Sequence, residues 1–233
     1  MGIYYNPKIS KQNIQLVVDA ANPKGLKDLI NNKSIDVYGN TNTSLYNGAV
    51  AWNFSGEVPS SSAKTFRINN VPNTGISDGD WAMEVWVYPT TTGSENIIHM
   101  SSSNSSTGWC LPCIQMRSGK FSGHLWQNGP QYVDSNSFTS NKWHNVVVTW
   151  DITNKFRIFV NSELQGTNSS FVNYTASNVD NYIWLGGPIQ TGCSGNQGKN
   201  FTGGIAYLAF RNSVITEDII KNNFNALRGR FGI

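Results

Sequence analysis

Three small sets of residues carry side chains that could do chemistry. Trp109-Cys110-Leu111-Pro112-Cys113 places two thiols three positions apart. Such a pair is redox-active when the first thiol sits at a helix N-terminus that lowers its pKa. Here the following residues, Ile114-Gln115-Met116-Arg117-Ser118-Gly119, read as a strand and a turn, so the activating helix is missing. Cys193 could join Cys110 and Cys113 around zinc, with His99 or His124 as fourth ligand, across long gaps in sequence. The plain alternative is two or three reduced thiols near a loop, the usual state in a cytoplasm. Asp78-Gly79-Asp80 and Asp180-Asn181 are local candidates for calcium, which needs several oxygen ligands together, and both are also ordinary turn sequences. The Glu residues, at 57, 84, 95, 163 and 217, stand far apart. Glycoside hydrolysis needs two carboxylates about 5 to 10 Å apart across the bond. Glu84 alone sits mid-strand, and a lone strand Glu on a solvent face is the expectation. No catalytic residue and no enzyme is expected.

Sugar recognition needs aromatic platforms with amides and hydroxyls around them. Trp109, Trp126 and Tyr132 sit in or near stretches rich in Asn, Gln and Ser and are the glycan-contact candidates. Trp81, Trp150 and Trp184 are expected in the core, where most Trp residues of such a chain belong. The termini form another set. Ile3, Tyr4 and Tyr5 at one end, and Arg228, Arg230, Phe231 and Ile233 at the other, could dock on a neighbouring subunit or close the protein's own sandwich edge.

The elements that must position these residues are mostly strands. Residues 143 to 161 hold two β-rich runs around Ile152-Thr153-Asn154-Lys155. In the first, Val146, Val148 and Trp150 share one face and Val147 and Thr149 the other; in the second, Phe156, Ile158 and Val160 alternate with Arg157 and Phe159. That pattern predicts a hairpin. Further strands are predicted at 14–19, 50–54, 66–68, 81–88, 96–100, 113–116, 121–126, 182–185 and 204–210, with a short helical turn at 26–31. One helix follows, N-capped by Thr216, with Glu217 and Asp218 in its first turn and Ile219, Ile220, Phe224 and Leu227 on its apolar stripe. Gly229 is expected to stop it.

The 233 residues suit one large β domain, and no internal repeat or linker breaks them. Charged residues are only 13%, so about 30 asparagines, with Ser, Thr and Gly, must supply the polar surface. The net charge of +3 is spread without a basic cluster, which argues against nucleic acid. No apolar run approaches a membrane span. Met1-Gly2-Ile3-Tyr4-Tyr5-Asn6 is neither a secretory leader nor a myristoylation signal. Asn-x-Ser/Thr triplets at Asn42, Asn53, Asn104 and Asn173 then reflect asparagine abundance. Synthesis in a host cytoplasm without a signal peptide is expected.

The order Trp143-His144-x-Val-x-Val-Thr-Trp-Asp151, followed by an apolar strand ending in Val160-Asn161, resembles the central hairpin of laminin-G-like and pentraxin-like domains, within the concanavalin A-like lectin/glucanase superfamily. Trp81-Ala-Met-Glu-Val-Trp-Val-Tyr-Pro89 is similar to the strand before it. Gly203-Gly-Ile-Ala-Tyr-Leu-Ala-Phe-Arg-Asn212 with Ile215-Thr-Glu-Asp-Ile219 resembles the closing strand and helix. Leu16-Val-Val-Asp-Ala-Ala-Asn-Pro-Lys24 and Asn223 to Ile233 resemble the two ends of lectin-fold proteins of tailed bacteriophages, cyanophages among them. The resemblance implies an all-β, two-sheet antiparallel jelly roll with a short C-terminal helix, in one domain over 1–233 with an arm at 1–13 and a tail at 228–233. No cofactor is expected, and the resemblance adds calcium as the one alternative, since many such domains bind it at a loop rim. Hydrolases of the superfamily carry clustered acids, Glu-x-Asp-x-Glu or similar, which this chain lacks. The function expected from it is a structural or decoration protein of a phage virion, at head, neck or tail. Its partners would be other virion proteins in a symmetric assembly, and host-surface polysaccharide. The alternative is a carbohydrate-binding receptor-recognition module.

Overall fold

The computed structural model describes residues 8–23, 25–60, 62–69, 80–101, 110–126, 129–170, 182–189 and 199–233, without the side chains of 110–113 and 126. Its strands are β1 (Ile14–Asp19), β2 (Ile35–Tyr38), β3 (Thr43–Tyr46), β4 (Ala49–Ser55), β5 (Thr65–Asn69), β6 (Trp81–Pro89), β7 (Glu95–Ser101), β8 (Cys110–Arg117), β9 (Lys120–Trp126), β10 (Pro130–Ser137), β11 (His144–Asp151), β12 (Lys155–Val160), β13 (Glu163–Asn168), β14 (Tyr182–Leu185), β15 (Lys199–Asn200) and β16 (Thr202–Arg211). One helix, α1 (Glu217–Phe231), closes the chain.

The strands form two eight-stranded sheets. The first runs β13-β12-β11-β6-β16-β4-β3. Its long strand β16 is shared along one edge: Thr202 to Ile205 pair with β4, and Tyr207 to Arg211 with β1. The second sheet runs β10-β9-β8-β7-β14-β5-β2, and the two-residue β15 joins β7 in parallel while every other pairing is antiparallel. Val85, Val87, Val146, Val148, Ile158 and Leu208 of the first sheet meet Ile98, Met100, Ile114, Phe121, Ile183 and Leu185 of the second in one core. The predicted hairpin is β11–β12, with Val148 opposite Ile158, and its faces divide as the alternation requires. Trp81 and Trp150 join this core as expected, whereas Trp184 is buried on the outer side of the second sheet.

The outer face of the first sheet is also apolar, and α1 covers it. Trp86, Trp143 and Tyr207 pack there with Phe231, Phe224 and Leu227. The Phe231 ring lies on Trp86 at 4.1 Å between centroids and tilts against Trp143 at 4.6 Å. A second cluster joins Ile215, Ile219 and Ile220 to Val147 and Phe159. Thr216 caps the helix as predicted, its hydroxyl accepting from the Ile219 N–H at 3.3 Å. The helix runs past the expected stop at Gly229 and ends at Gly232, whose φ of 70° is left-handed and whose N–H bonds Arg228 O. Gly229 itself has no left-handed φ, so the helix continues through it. No helix among the described residues is long and apolar enough to cross a membrane.

Other expectations change. Residues 26–31 form no helix. The buried Asp28 carboxylate instead gathers backbone N–H groups from Val17, Ile30, Asn31 and Lys33 at 3.0 to 3.4 Å and shapes a loop. Glu84 does not face solvent. It lies 2% exposed on the outer face of the first sheet, beneath α1. Its oxygens accept from Asn145 Nδ2 at 3.0 Å and Asn223 Nδ2 at 3.2 Å. Burial pushes its carboxyl above the usual range, and the nearby Arg211 guanidinium and these amides oppose that.

The helix dock sets a stability prediction. Phe231→Ala should cost about 3 to 5 kcal/mol by urea unfolding, because it empties a buried aromatic site. Ile233→Ala, two residues on and 40% exposed, should change stability by less than about 0.5 kcal/mol.

Candidate functional site

With one outer face sealed by α1, the outer face of the second sheet is the other broad surface of the sandwich. Its inward positions are apolar (Phe66 and Ile68, Ile183 and Leu185, Phe121 and Leu125). Period-two alternation therefore turns Arg67, Trp184 and His124 outward. Ladder register then lines these up in one row across the sheet. Asp36 pairs with Arg67, Arg67 with Trp184, Trp184 with His99, and His99 with Pro112. On the far side His124 pairs with Tyr132.

Each end of the row is a half-buried arginine held among aromatic rings and a carboxylate. At one end Arg67 pairs with Asp36, and its guanidinium carbon lies 5.1 Å from the Tyr182 ring centre, 5.5 Å from Trp184 and 5.6 Å from Tyr38. Asn69 Nδ2 donates to Asp36 at 3.0 Å. That bond first, and Arg67 second, hold the Asp36 carboxyl below its usual range. At the other end Arg117 lies over the Tyr132 ring at 4.0 Å and pairs with Asp134 at 2.9 Å. Ser122 Oγ donates to the other Asp134 oxygen at 2.6 Å, and His124 stacks on Tyr132 at 4.4 Å.

The middle of the row is buried. Trp184 Nε1 donates to Ser101 Oγ at 2.9 Å. His99 and His124 are 0% and 1% exposed. Burial lowers the His99 pKa to about 3, helped by His124, and lowers that of His124 to about 4, helped by Arg117. Both rings are therefore neutral at pH 7. Neither ring nitrogen of His124 has a hydrogen-bond partner among the described residues.

The expected site residues divide. Tyr132 lies on this face, engaged by Arg117 and His124, so it presents a guanidinium and a phenol rather than a bare ring. Trp126 ends β9 opposite Pro130, with its side chain outside the described set. Trp109, Asp78, Asp180, Cys193, Ile3, Tyr4 and Tyr5 lie outside the described residues. Cys110 and Cys113 lie on strand β8, as their surroundings predict, not at a helix N-terminus. Asp80 is half-buried, and no three metal-ligand side chains converge among the described residues. At the tail, Phe231 is buried in its own chain and Arg230 pairs with Asp19 at 2.8 Å, so neither is presented as an assembly contact, whereas Arg228 and Ile233 are exposed. Sequence reading missed Tyr38, Arg67, Arg117, Asp134 and Tyr182. Tyr182 and Trp184, two apart on one strand, were the available signal.

The two histidines fix a pH dependence. Their folded pKa values lie below the ordinary value of 6.5, so the unfolded chain binds more protons at mildly acid pH. The stability they contribute is complete above pH 6.5 and is lost as pH falls toward 4. Unfolding free energy should fall by up to about 1.4 kcal/mol per pH unit for each histidine over that window. His124→Phe should flatten the slope, as urea titrations at stepped pH would show.

A family profile described as the concanavalin A-like lectin/glucanases superfamily matches residues 61–221. A search of curated protein sequences gives no match. Solved structures similar to the chain include the binding domain of botulinum neurotoxin serotype D, with 17% identity, a TM-score of 0.65, and 91% of this chain covering 51% of that one. The binding domain of botulinum neurotoxin DC in complex with SialylT gives 16% identity, a TM-score of 0.64, and 92% of this chain on 52% of that one. A botulinum neurotoxin type C structure, described as dependent for cell entry on two ganglioside molecules, gives 16% identity, a TM-score of 0.64, and 92% of this chain on 51% of that one. The chain thus spans about half the length of these neighbours, and identity this low shows a shared fold alone. They are toxin binding domains rather than phage proteins. The fold is an all-β, two-sheet jelly roll with one C-terminal helix, and the profile covers more than two thirds of the sequence: the chain belongs to the concanavalin A-like lectin/glucanase superfamily.

Proposed function

We propose that this chain is a non-catalytic carbohydrate-recognition module that binds glycans on the outer face of its second sheet. The observation that carries this is the pair of aromatic–arginine clusters at the two ends of one cross-strand row, Tyr38-Arg67-Tyr182 and Arg117-Tyr132. The guanidinium planes stacked on these rings, with the ring edges, offer flat surface to a sugar, and the paired carboxylates and guanidinium N–H groups bond its hydroxyls. Both clusters are half-buried, so their groups are ordered before a ligand arrives, which lowers the entropy cost of binding.

The charge pattern suggests which sugars fit. Arg67 is paired with Asp36, and Arg117 with Asp134. Each end is therefore a donor–acceptor pair, close to neutral, rather than an unmatched cation. Such pairs suit the hydroxyls of neutral sugars, which both donate and accept, better than the carboxylate of an acidic sugar. The ganglioside and SialylT neighbours support glycan recognition as a use of this fold, while the details of their sites belong to those proteins.

The non-catalytic reading rests on Glu84, the one carboxylate singled out for hydrolysis, which is enclosed beneath α1 away from this face. The virion reading expected from the chain ends gains nothing from these neighbours, and Phe231 and Arg230, two of its anchors, serve the chain's own fold.

A glycan array probed with the purified chain tests the proposal. Neutral oligosaccharides should bind, and sialylated counterparts should bind no better. Tyr182→Ala and Tyr132→Ala should each weaken the best ligand about tenfold, near 1.4 kcal/mol. Absence of any glycan ligand, or affinity unchanged in both variants, would count against it.

A further inference from the structure

The outer face of the second sheet has two accessible ends and a closed middle. Between the ends, Trp184, His99 and Ser101 are 0% exposed and His124 is 1% exposed. Side chains without accessible surface offer none to a ligand, so no sugar chain runs along the row in contact with them. The ends are open. Side-chain exposure is 14% for Arg67 and 41% for Asp36 at one end, and 41% for Arg117 and 30% for Asp134 at the other. Tyr38, Tyr182 and Tyr132 are half-buried.

The ends are also far apart. Tyr182 lies on β14 and Tyr132 on β10, with β7, β8 and β9 between them. Neighbouring strands are about 4.8 Å apart, so the two tyrosine positions are separated by about 19 Å. Register breaks on the way, because the β7–β8 pairing shifts on both sides of Ile98. Yet the two ends hold the same set of groups in the same roles. Each has a guanidinium over a tyrosine ring, at 5.1 Å for Arg67 on Tyr182 and 4.0 Å for Arg117 on Tyr132. Each pairs that guanidinium with an aspartate. Each aspartate also accepts from a neutral donor, Asn69 Nδ2 for Asp36 at 3.0 Å and Ser122 Oγ for Asp134 at 2.6 Å.

Resting on the glycan reading above, we infer that the two ends are separate subsites, each for one neutral sugar terminus, and that the ligand is a branched or densely displayed neutral glycan that reaches both at once. A single end has little area with which to offset the cost of association, so it binds weakly alone. Joining two such contacts makes the second one intramolecular and raises overall affinity by about 10² to 10⁴ without any new contact, provided the ligand spans the gap. The closed middle then acts as a spacer that selects the distance between sugar termini.

The test titrates the isotope-labelled full chain with soluble lactose and, separately, cellobiose, followed by backbone-amide NMR. Two groups of shifts are expected, one around Arg67 and Tyr182 and one around Arg117 and Tyr132, each with its own Kd. Tyr182→Ala should erase the first group and leave the second Kd within about twofold, and Tyr132→Ala should do the reverse. Because either variant could lose its fold, a second measurement uses the unsubstituted chain. Two units of the disaccharide that binds, joined by a flexible linker spanning about 19 Å, should bind at least about tenfold more tightly than two joined by a linker half as long. Shifts at one end only, one Kd shared by both groups, loss of both groups in either folded variant, or equal affinity for the two linkers would overturn the inference and leave glycan recognition standing. Absence of any neutral-sugar ligand would remove the glycan reading itself, and this inference with it.

Discussion

Phe231 lies flat on Trp86, 4.1 Å between ring centres, and this contact determines which outer face of the sandwich the helix covers. Both rings are fully buried, although only two residues follow Phe231 in the sequence. The stack draws α1 across the first sheet, where Trp143, Tyr207 and Phe224 complete the cover. Strands of that sheet are then buried on both sides, and every residue of β11 is buried. Polar residues caught under the helix need internal partners. Glu84 finds Asn145 and Asn223, and Asn223 Oδ1 also accepts from Ser10 N–H at 2.9 Å, so one carboxylate network ties the helix, the sheet and the segment before β1 together.

Among the described residues no such helix covers the second sheet, and its outer side chains differ accordingly. Arginine, aspartate, tyrosine and histidine occupy positions that are apolar on the first sheet. Their arrangement follows from two elementary constraints. Alternation along each strand decides which residues point outward, and ladder register decides which of them become neighbours across strands. Together these bring residues scattered from Asp36 to Trp184 onto one face, in two register runs on either side of the β7–β8 bulge. The row is polarised in burial rather than in charge: its arginines are matched by aspartates at both ends, and neutral histidines fill its middle. Ordered, nearly neutral surface of this kind suits sugar hydroxyls, and the low charge content of the chain points the same way.

Strands with a strong apolar face were legible from sequence, including β1, β6, the β11–β12 hairpin and β14. The ones that escaped were the two-residue β15 and the edge strands β2, β3, β10 and β13, which have mostly half-exposed or exposed residues and no clean apolar alternation. Helix entry at Thr216 was readable because capping is local. Its exit was misplaced because a glycine ends a helix only where the backbone turns left-handed, and that turn occurs at Gly232, not Gly229. Glu84 was read as solvent-facing because period-two patterning cannot reveal that a distant helix returns to cover the polar-looking side. The candidate site was the least legible part. Tyr132 was found from composition, but Arg67, Tyr182 and Arg117 have meaning only through register between strands far apart in sequence. The family resemblance was right about the fold, whereas the virion role drawn from the chain ends gains no support from the solved neighbours, and of its end residues Phe231 is buried in the fold while Arg228 and Ile233 are exposed.

The most direct test is a backbone-amide NMR titration of the isotope-labelled chain with a neutral oligosaccharide. The account predicts shifts concentrated in β5, β9, β10 and β14, around Arg67, His124, Tyr132 and Tyr182, with α1 and β11 unmoved. Shifts confined to α1 and the first sheet, or none at saturating sugar, would contradict it.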